Sequence, residues 1–201
     1  MNLSVDSQDI LIFDDVLTEQ ESDRIYNNFL TKNISWGFMD TTCSQDVYNT
    51  FADENTFESH QFVSLISYEY GNYSDTWKDC EIDFLSHKIS ERLGYRLFFK
   101  RVKANLLINQ QTEKKYNLPH IDYANEKHLV IVYYVNTTDS PTYLFKNDCP
   151  PWQIEQVVES KKGRFLIFPG NKYHAGMHPK NTPHRFLLNF NVTHMESLKN
   201  V

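Results

Sequence analysis

The sequence predicts an α+β fold whose second half is a β-sandwich or barrel, with helices covering one of its sheets. Two segments before residue 95 carry apolar residues at spacings of three and four, the period of an amphipathic helix. From residue 96 onward the period changes to two, in runs rich in Val, Ile, Phe and Tyr. No helical stretch alternates with those runs, which argues against the parallel sheet of a βαβ protein.

The elements follow in order. "ILIF" at 10–13 is a short strand candidate. Thr18 followed by Glu21 fits a capping box, in which each side chain satisfies an orphan amide of the other's backbone, and Ile25, Phe29 and Leu30 supply an apolar face. A helix over about 18–31 is expected. Residues 33–73 hold several breaks among Tyr and Phe; "QFVSLISYEY" is their best strand and the rest give no chemical clue beyond a part in shaping an entrance. "SDTWKDCEIDFLSHKISERLGY" reads as one helix, with Ile82, Leu85, Ile89 and Leu93 on one face and Gly94 placed to end it. Then come "RLFFKRVKANLLIN", "HLVIVYYVN", "PTYLF", "GRFLIFPG" and "RFLLNFNV" as strands.

Alternation assigns the faces. Phe186, Leu188, Phe190 and Val192 lie on one side of the last strand; Arg185, Leu187, Asn189 and Asn191 lie on the other. Val102, Ala104, Leu106 and Ile108 likewise oppose Lys103, Asn105, Leu107 and Asn109. One face is greasy enough to receive the helices. The other mixes Arg and Asn with apolar residues, which suits a ligand cavity better than a plain core.

Composition bounds the rest. The 201 residues suit a single domain (1–201), with helical support over 1–95 and a β core over 96–195. Hydrophobic residues at 40% and aromatics at 14% exclude a disordered chain. A formal charge of −6 disfavours a surface built to hold nucleic acid. No run approaches the ~18 apolar residues of a membrane span, and "MNLSVDSQDILIFDDVL" lacks the basic end of a secretion signal. Cys43, Cys80 and Cys149 are odd in number and lack a Cys-x-x-Cys pair, so they read as reduced thiols. The expectation is a soluble cytoplasmic protein without a membrane partner.

One constellation carries chemistry. In "YNLPHIDYANEKHLVIVYYVN", His120 and Asp122 stand two apart at the edge of a strand, so an extended backbone turns both to one side. A lone His-x-Asp is a weak motif. Farther on, "GRFLIFPGNKYHAGMHP" offers His174 or His178. His174 is preferred, because it follows the strand end directly and heads "HAG", where a small residue lets the backbone crowd a metal. Two His and one carboxylate without Cys make the facial triad of non-haem Fe(II). Arg185 shares a face with Leu187 and Asn189, inside the proposed barrel, where a guanidinium needs an anion. Asn105 and Asn189 are further candidates for that cavity. Tyr134, on the face of Val130 and Val132, fits a core tyrosine or a cofactor contact.

The pieces "PHID…HLVIVYYVN…GRFLIFPGNKYHAG…HR", spanning about 97–192, resemble the Fe(II)- and 2-oxoglutarate-dependent oxygenases, the prolyl 4-hydroxylase-like branch in particular, including short members found in phages and marine bacteria. The resemblance implies a double-stranded β-helix (a jelly-roll barrel) with N-terminal helices packed on its major sheet. It implies that His120, Asp122 and His174 hold Fe(II), that Arg185 assisted by Tyr134 anchors the far carboxylate of 2-oxoglutarate, and that O2 is consumed with ascorbate as a supporting reductant. A substrate C–H would be hydroxylated with release of succinate and CO2. The substrate would be a peptidyl proline or, alternatively, a free amino acid or other small molecule, in a host's cytoplasm if the gene is a phage's. A non-catalytic jelly-roll module with a structural metal and a zinc hydrolase are the rivals. One departure stands out: where the family has a Gly-Gly or Asp-Gly turn before a T-x-F strand, this chain reads "NTTDSPTYLF", and Pro141 fixes the turn.

Overall fold

A computed structural model describes residues 3–41, 43–69, 71–124 and 126–198. The N-terminal half runs β1 (Leu11–Phe13), α1 (Glu19–Thr31), β2 (Gly37–Met39), α2 (Gln45–Phe51), β3 (Thr56–Phe57), β4 (Gln61–Tyr68), β5 (Asn72–Tyr73), α3 (Thr76–Asp79) and α4 (Ile82–Leu93). The C-terminal half is all strand: β6 (Tyr95–Ile108), β7 (Tyr116–Asn117), β8 (Leu129–Tyr134), β9 (Thr142–Phe145), β10 (Ile154–Val158), β11 (Phe165–Pro169), β12 (His174–Ala175) and β13 (His184–Ser197).

The predicted capping box starts α1. The Thr18 hydroxyl accepts from the Glu21 amide at 3.2 Å, and the Glu21 carboxylate accepts from the Thr18 amide at 2.8 Å. The expected second helix is instead two. Glu81 adopts a left-handed φ of 54° between α3 and α4, where its carboxylate accepts from Arg24 Nη2 at 2.7 Å and from Asn28 Nδ2 at 2.8 Å. That anchor on α1 re-aims α4, so Ile82, Leu85, Ile89 and Leu93 are buried together. Gly94 ends α4 at φ 79°, a conformation open to glycine without strain. Residues 33–73 hold α2 and three short strands besides β4, none of which local patterning marks. Tyr70, the last residue of the "QFVSLISYEY" stretch, lies outside the described residues.

The major sheet has the order β1-β11-β8-β13-β6-β4-β2, with β5 added to β4; a minor sheet runs β10-β9-β12, and β3 pairs with β7 in parallel. The helices cover the major sheet as predicted. Ile25 and Phe29 of α1 and the apolar face of α4 meet Val102, Ala104, Phe186, Leu188, Phe190 and Val192 in one core. Each fully buried Leu or Ile there contributes roughly 1.5–3 kcal/mol. On its other face β8 stacks Val130, Val132 and Tyr134 against Leu144, Leu166, Phe168 and Leu187. Two layers of strand thus enclose a space, giving the double-stranded β-helix. The turn before β9 is fixed by more than Pro141. Asp139 accepts from the Lys180, Asn181 and Thr182 amides and the Thr182 hydroxyl; partial burial works to raise its pKa, but those bonds bring it down to about 2. No helix among the described residues is long and apolar enough to cross a membrane.

Candidate active site

Backbone contacts bring the two histidine-bearing segments together at the cavity. His120 and His174 form an antiparallel bridge outside the longer ladders, each amide donating to the other's carbonyl at 3.0 Å. β12 in turn pairs with β9, with His174 opposite Leu144. The two imidazoles therefore face each other, ring centroids 4.6 Å apart, and Asp122 follows two residues after the first. The potential ligand atoms of His120, Asp122 and His174 all lie within 4.8 Å of one another. The two distant segments come together as expected.

The donor set is prepared for a cation. His120 Nδ1 lies 3.2 Å from the Leu118 carbonyl, and His174 Nδ1 lies 3.1 Å from the Lys172 carbonyl. A carbonyl only accepts, so each Nδ1 carries the hydrogen and each Nε2 keeps its lone pair for a metal. Burial, then the neighbouring His120, lowers the His174 pKa from 6.5 to about 3, and burial also lowers that of His120. Burial pushes the other way on Asp122, but His174, Arg101 and Lys103 hold it well below the usual carboxylate range. Two neutral imidazoles and one anionic carboxylate, with no thiolate, suit Fe(II).

The Asp122 carboxylate is held by groups that strand alternation places but spacing does not single out. Its Oδ2 accepts from Asn191 Nδ2 at 2.7 Å and Asn189 Nδ2 at 3.2 Å, and Arg101 Nη2 lies 2.7 Å from Oδ1. Asn191 also accepts from Arg101 Nε at 2.9 Å, so it ties carboxylate and guanidinium into one unit. Both Oδ2 lone pairs are occupied, while Oδ1 keeps one free. Asn191→Leu is expected to weaken metal binding by roughly 10–100-fold, the usual cost of losing such an outer partner, measured by titrating Mn(II) or Fe(II) into the apoprotein.

Arg185 stands at the other end of the same β13 face. It is 2% exposed, and its guanidinium donates from Nε to Ser160 Oγ at 3.0 Å and from Nη2 to Thr142 Oγ1 at 2.7 Å. Among the described residues no carboxylate lies within ion-pair distance of it. Burial lowers its pKa. Tyr134 stands behind these contacts: its hydroxyl donates to Thr142 Oγ1 at 2.7 Å, and its ring centroid lies 5.6 Å from the guanidinium carbon. Thr142 and Ser160 were not foreseen; they lie on separate segments that only the folded chain brings to Arg185.

The glycine of "HAG" has a different use from the one its place beside His174 implies. A Cβ on Gly176 would sit 2.8 Å from Arg185 Nη1, so this glycine makes room for the guanidinium rather than for a metal. With the co-substrate that the resemblance implies, Gly176→Ala is expected to displace Arg185 and raise the KM for 2-oxoglutarate about tenfold, with metal affinity unchanged. Initial rates at varied 2-oxoglutarate, beside a metal titration, check it.

The triad, Arg185, Asn105 and Asn189 all line one cavity of about 450 Å³. Asn105 donates to Gln61 Oε1 at 3.0 Å, and the Oδ1 atoms of Asn105 and Asn189 are buried without a partner. Met39, Val47, Phe51 and Gln61 line the cavity too, so residues 33–73 do shape its wall. His178 takes no part in the triad: its Nδ1 bonds the Ile108 carbonyl at 2.8 Å and its Nε2 meets the Ser59 hydroxyl. His128 and His184 are also engaged elsewhere, with the Glu126 carbonyl at 2.8 Å and the Tyr26 hydroxyl at 3.2 Å.

No protein-family model matches this sequence, and no curated protein does. Solved structures match in shape. An oxidoreductase of the 2OG-Fe(II) oxygenase family from Burkholderia pseudomallei superposes with a TM-score of 0.62 at 13% identity, over 94% of this chain and 88% of its own. A prolyl hydroxylase from Trichoplax adhaerens, in complex with a hypoxia-inducible factor oxygen degradation domain peptide fragment, gives 0.57 at 12% identity over 94% and 86%. A non-haem α-ketoglutarate-dependent epimerase from nogalamycin biosynthesis, SnoN, gives 0.58 at 11% over 92% and 78%. At these identities the likeness is one of fold, and this chain has the double-stranded β-helix of the 2-oxoglutarate–Fe(II) oxygenases, prolyl hydroxylase among them.

Proposed function

We propose that this protein is an Fe(II)- and 2-oxoglutarate-dependent dioxygenase that hydroxylates a substrate C–H bond. One observation carries the reading: a His–Asp–His group and a buried guanidinium without a carboxylate partner among the described residues line the same cavity. A structural metal needs the first and leaves the second unexplained, and so does zinc hydrolysis. A dicarboxylate co-substrate accounts for both.

In this reading His120, Asp122 and His174 hold the metal, and their single negative charge leaves it able to accept an anion. Arg185 grips the distal carboxylate of 2-oxoglutarate, with Thr142 and Ser160 fixing the plane of the guanidinium and Tyr134 bracing Thr142. Val132 and Leu187 give the cavity an apolar lining between the two ends. With Fe(II), 2-oxoglutarate and O2 bound, the chemistry supplied there is hydroxylation of a C–H bond with release of succinate and CO2. Asn191, Asn189 and Arg101 hold the Asp122 carboxylate in position.

The similar folds are divided between a peptide-bound prolyl hydroxylase and an epimerase of a biosynthetic route, so peptidyl proline is one candidate beside free small molecules. Three unpaired cysteines and an Fe(II) centre suit a reducing cytoplasm. The test is conversion of 2-oxoglutarate to succinate with Fe(II), O2 and ascorbate. Slow turnover without a prime substrate, abolished by a chelator, is expected. Tight zinc binding with no affinity for 2-oxoglutarate would overturn the reading.

A further inference from the structure

The charges that line the cavity do not balance. Asp122 is the single carboxylate among the described lining residues, whereas Arg101, Lys103 and Arg185 are all cationic. Arg101 is taken by Asp122 at 2.7 Å. Arg185, in the oxygenase reading, is taken by the co-substrate. Lys103 makes no hydrogen bond or close ion pair among the described residues; the carboxylate that attracts it is Asp122, already paired with Arg101.

Its position says which ligand that charge serves. Along the cavity face of β6 the order is Arg101, Lys103, Asn105, Leu107. Lys103 is opposite Asn189 of β13 on one side and opposite Leu65 of β4 on the other. It therefore lies between the triad's Asp122 partner and the β4–β2 margin, where Leu65 and Met39 are exposed. Arg185, opposite Leu107, is farther along the same two strands. Burial, with the like charge of Arg101 second, brings the Lys103 pKa from 10.5 down to about 8 against the attraction of Asp122. Keeping a partly desolvated ammonium that must share its nearby carboxylate with Arg101 costs free energy that an arriving anion recovers.

We propose that Lys103 is a specificity-determining residue that receives a carboxylate of the prime substrate on the entrance side of the metal site. The inference rests on the oxygenase reading above. The cavity, about 450 Å³, must hold the co-substrate as well, which leaves space for one small acid or one side chain. The carboxylate belongs either to a free amino acid or to an acidic side chain of a peptide.

The experiment uses the full chain loaded with Mn(II) and saturating 2-oxoglutarate, titrated calorimetrically. The probes are free L-amino acids, their carboxamides, and the N-acetyl N-methylamides of Asp and Glu. At least one carboxylate is expected to bind about tenfold or more tightly than its neutral amide, the worth of one charge-assisted bond. Lys103→Gln should erase that preference, Lys103→Arg should retain it, and both should bind 2-oxoglutarate within about twofold of wild type. Preference only among the N-acetyl compounds assigns the anion to a peptide side chain. Binding indifferent to the carboxylate, or a Lys103→Gln protein that loses 2-oxoglutarate instead, overturns the inference alone. Failure of Mn(II) and 2-oxoglutarate to bind wild type overturns the oxygenase reading and this inference with it.

Discussion

In a His174→Ala protein, metal affinity and succinate formation are expected to fall by well over the roughly 100-fold that loss of an outer partner costs. The fold should survive, because the contacts that join the 120 and 174 segments run through backbone amides and carbonyls that alanine keeps. Removing one of the three proposed ligands leaves His120 and Asp122 alone, too few donors to compete with water for a divalent ion. His178→Ala is the matched control. That imidazole is 1% exposed and bonded to Ile108 and Ser59, so its loss should leave metal binding intact and cost about 1–3 kcal/mol of stability through unsatisfied partners. Calorimetric metal titration and thermal melts of both variants separate the two roles. The sign of the pH dependence follows from the same site. His174 is buried and its pKa is brought down to about 3, so metal need not displace a proton from it at neutral pH. Affinity should hold near the ordinary imidazole value of 6.5 and fall at lower pH, as the more exposed His120, whose pKa is also lowered, takes up its proton first.

Arg185→Met is expected to raise the Kd for 2-oxoglutarate by roughly 10²–10³-fold, since removing one member of a buried charge pair costs about 2–5 kcal/mol. The same substitution should leave the melting temperature of the unliganded protein unchanged or higher. The guanidinium is buried among the hydroxyls of Ser160, Thr142 and Tyr134, with no counter-ion among the described residues. An apolar side chain of similar length relieves that cost. A structural arginine would behave in the opposite way, with a lower melting temperature and no change in ligand affinity. Differential scanning fluorimetry with and without 2-oxoglutarate reads both quantities. In wild type the co-substrate should raise the melting temperature, and in Arg185→Met that shift should vanish.

Much of this arrangement was legible in the chain. Thr18 and Glu21 announce α1, Ile82 to Leu93 announce α4, and the two-residue period of "RFLLNFNV" separates the face that meets the helices from the face that meets the cavity. His120, Asp122 and His174 were singled out because strand ends and a His-x-Asp spacing are local features, and the resemblance to the oxygenases gave Arg185 and Tyr134 their expected roles. Other parts were not legible. The break at Glu81 depends on Arg24 and Asn28, more than fifty residues away. α2 lacks any buried residue, so no apolar period marks it. Asn191 lies two residues beyond Asn189 on the cavity face of β13 and was open to the same argument; what ranks it is its bond to Asp122.

From the sequence alone come the order of elements, the face each strand buries, and the residue types able to hold a metal and an anion. Those properties repeat every two or four residues and are set by local backbone geometry. The tertiary structure decided which groups meet: that two histidines 54 positions apart share one bridge, that Gly176 yields its space to Arg185, and that Lys103 lines the cavity without a close ion pair among the described residues. Whether a charge is paired depends on side chains brought together from distant strands, and burial there makes the missing partner costly.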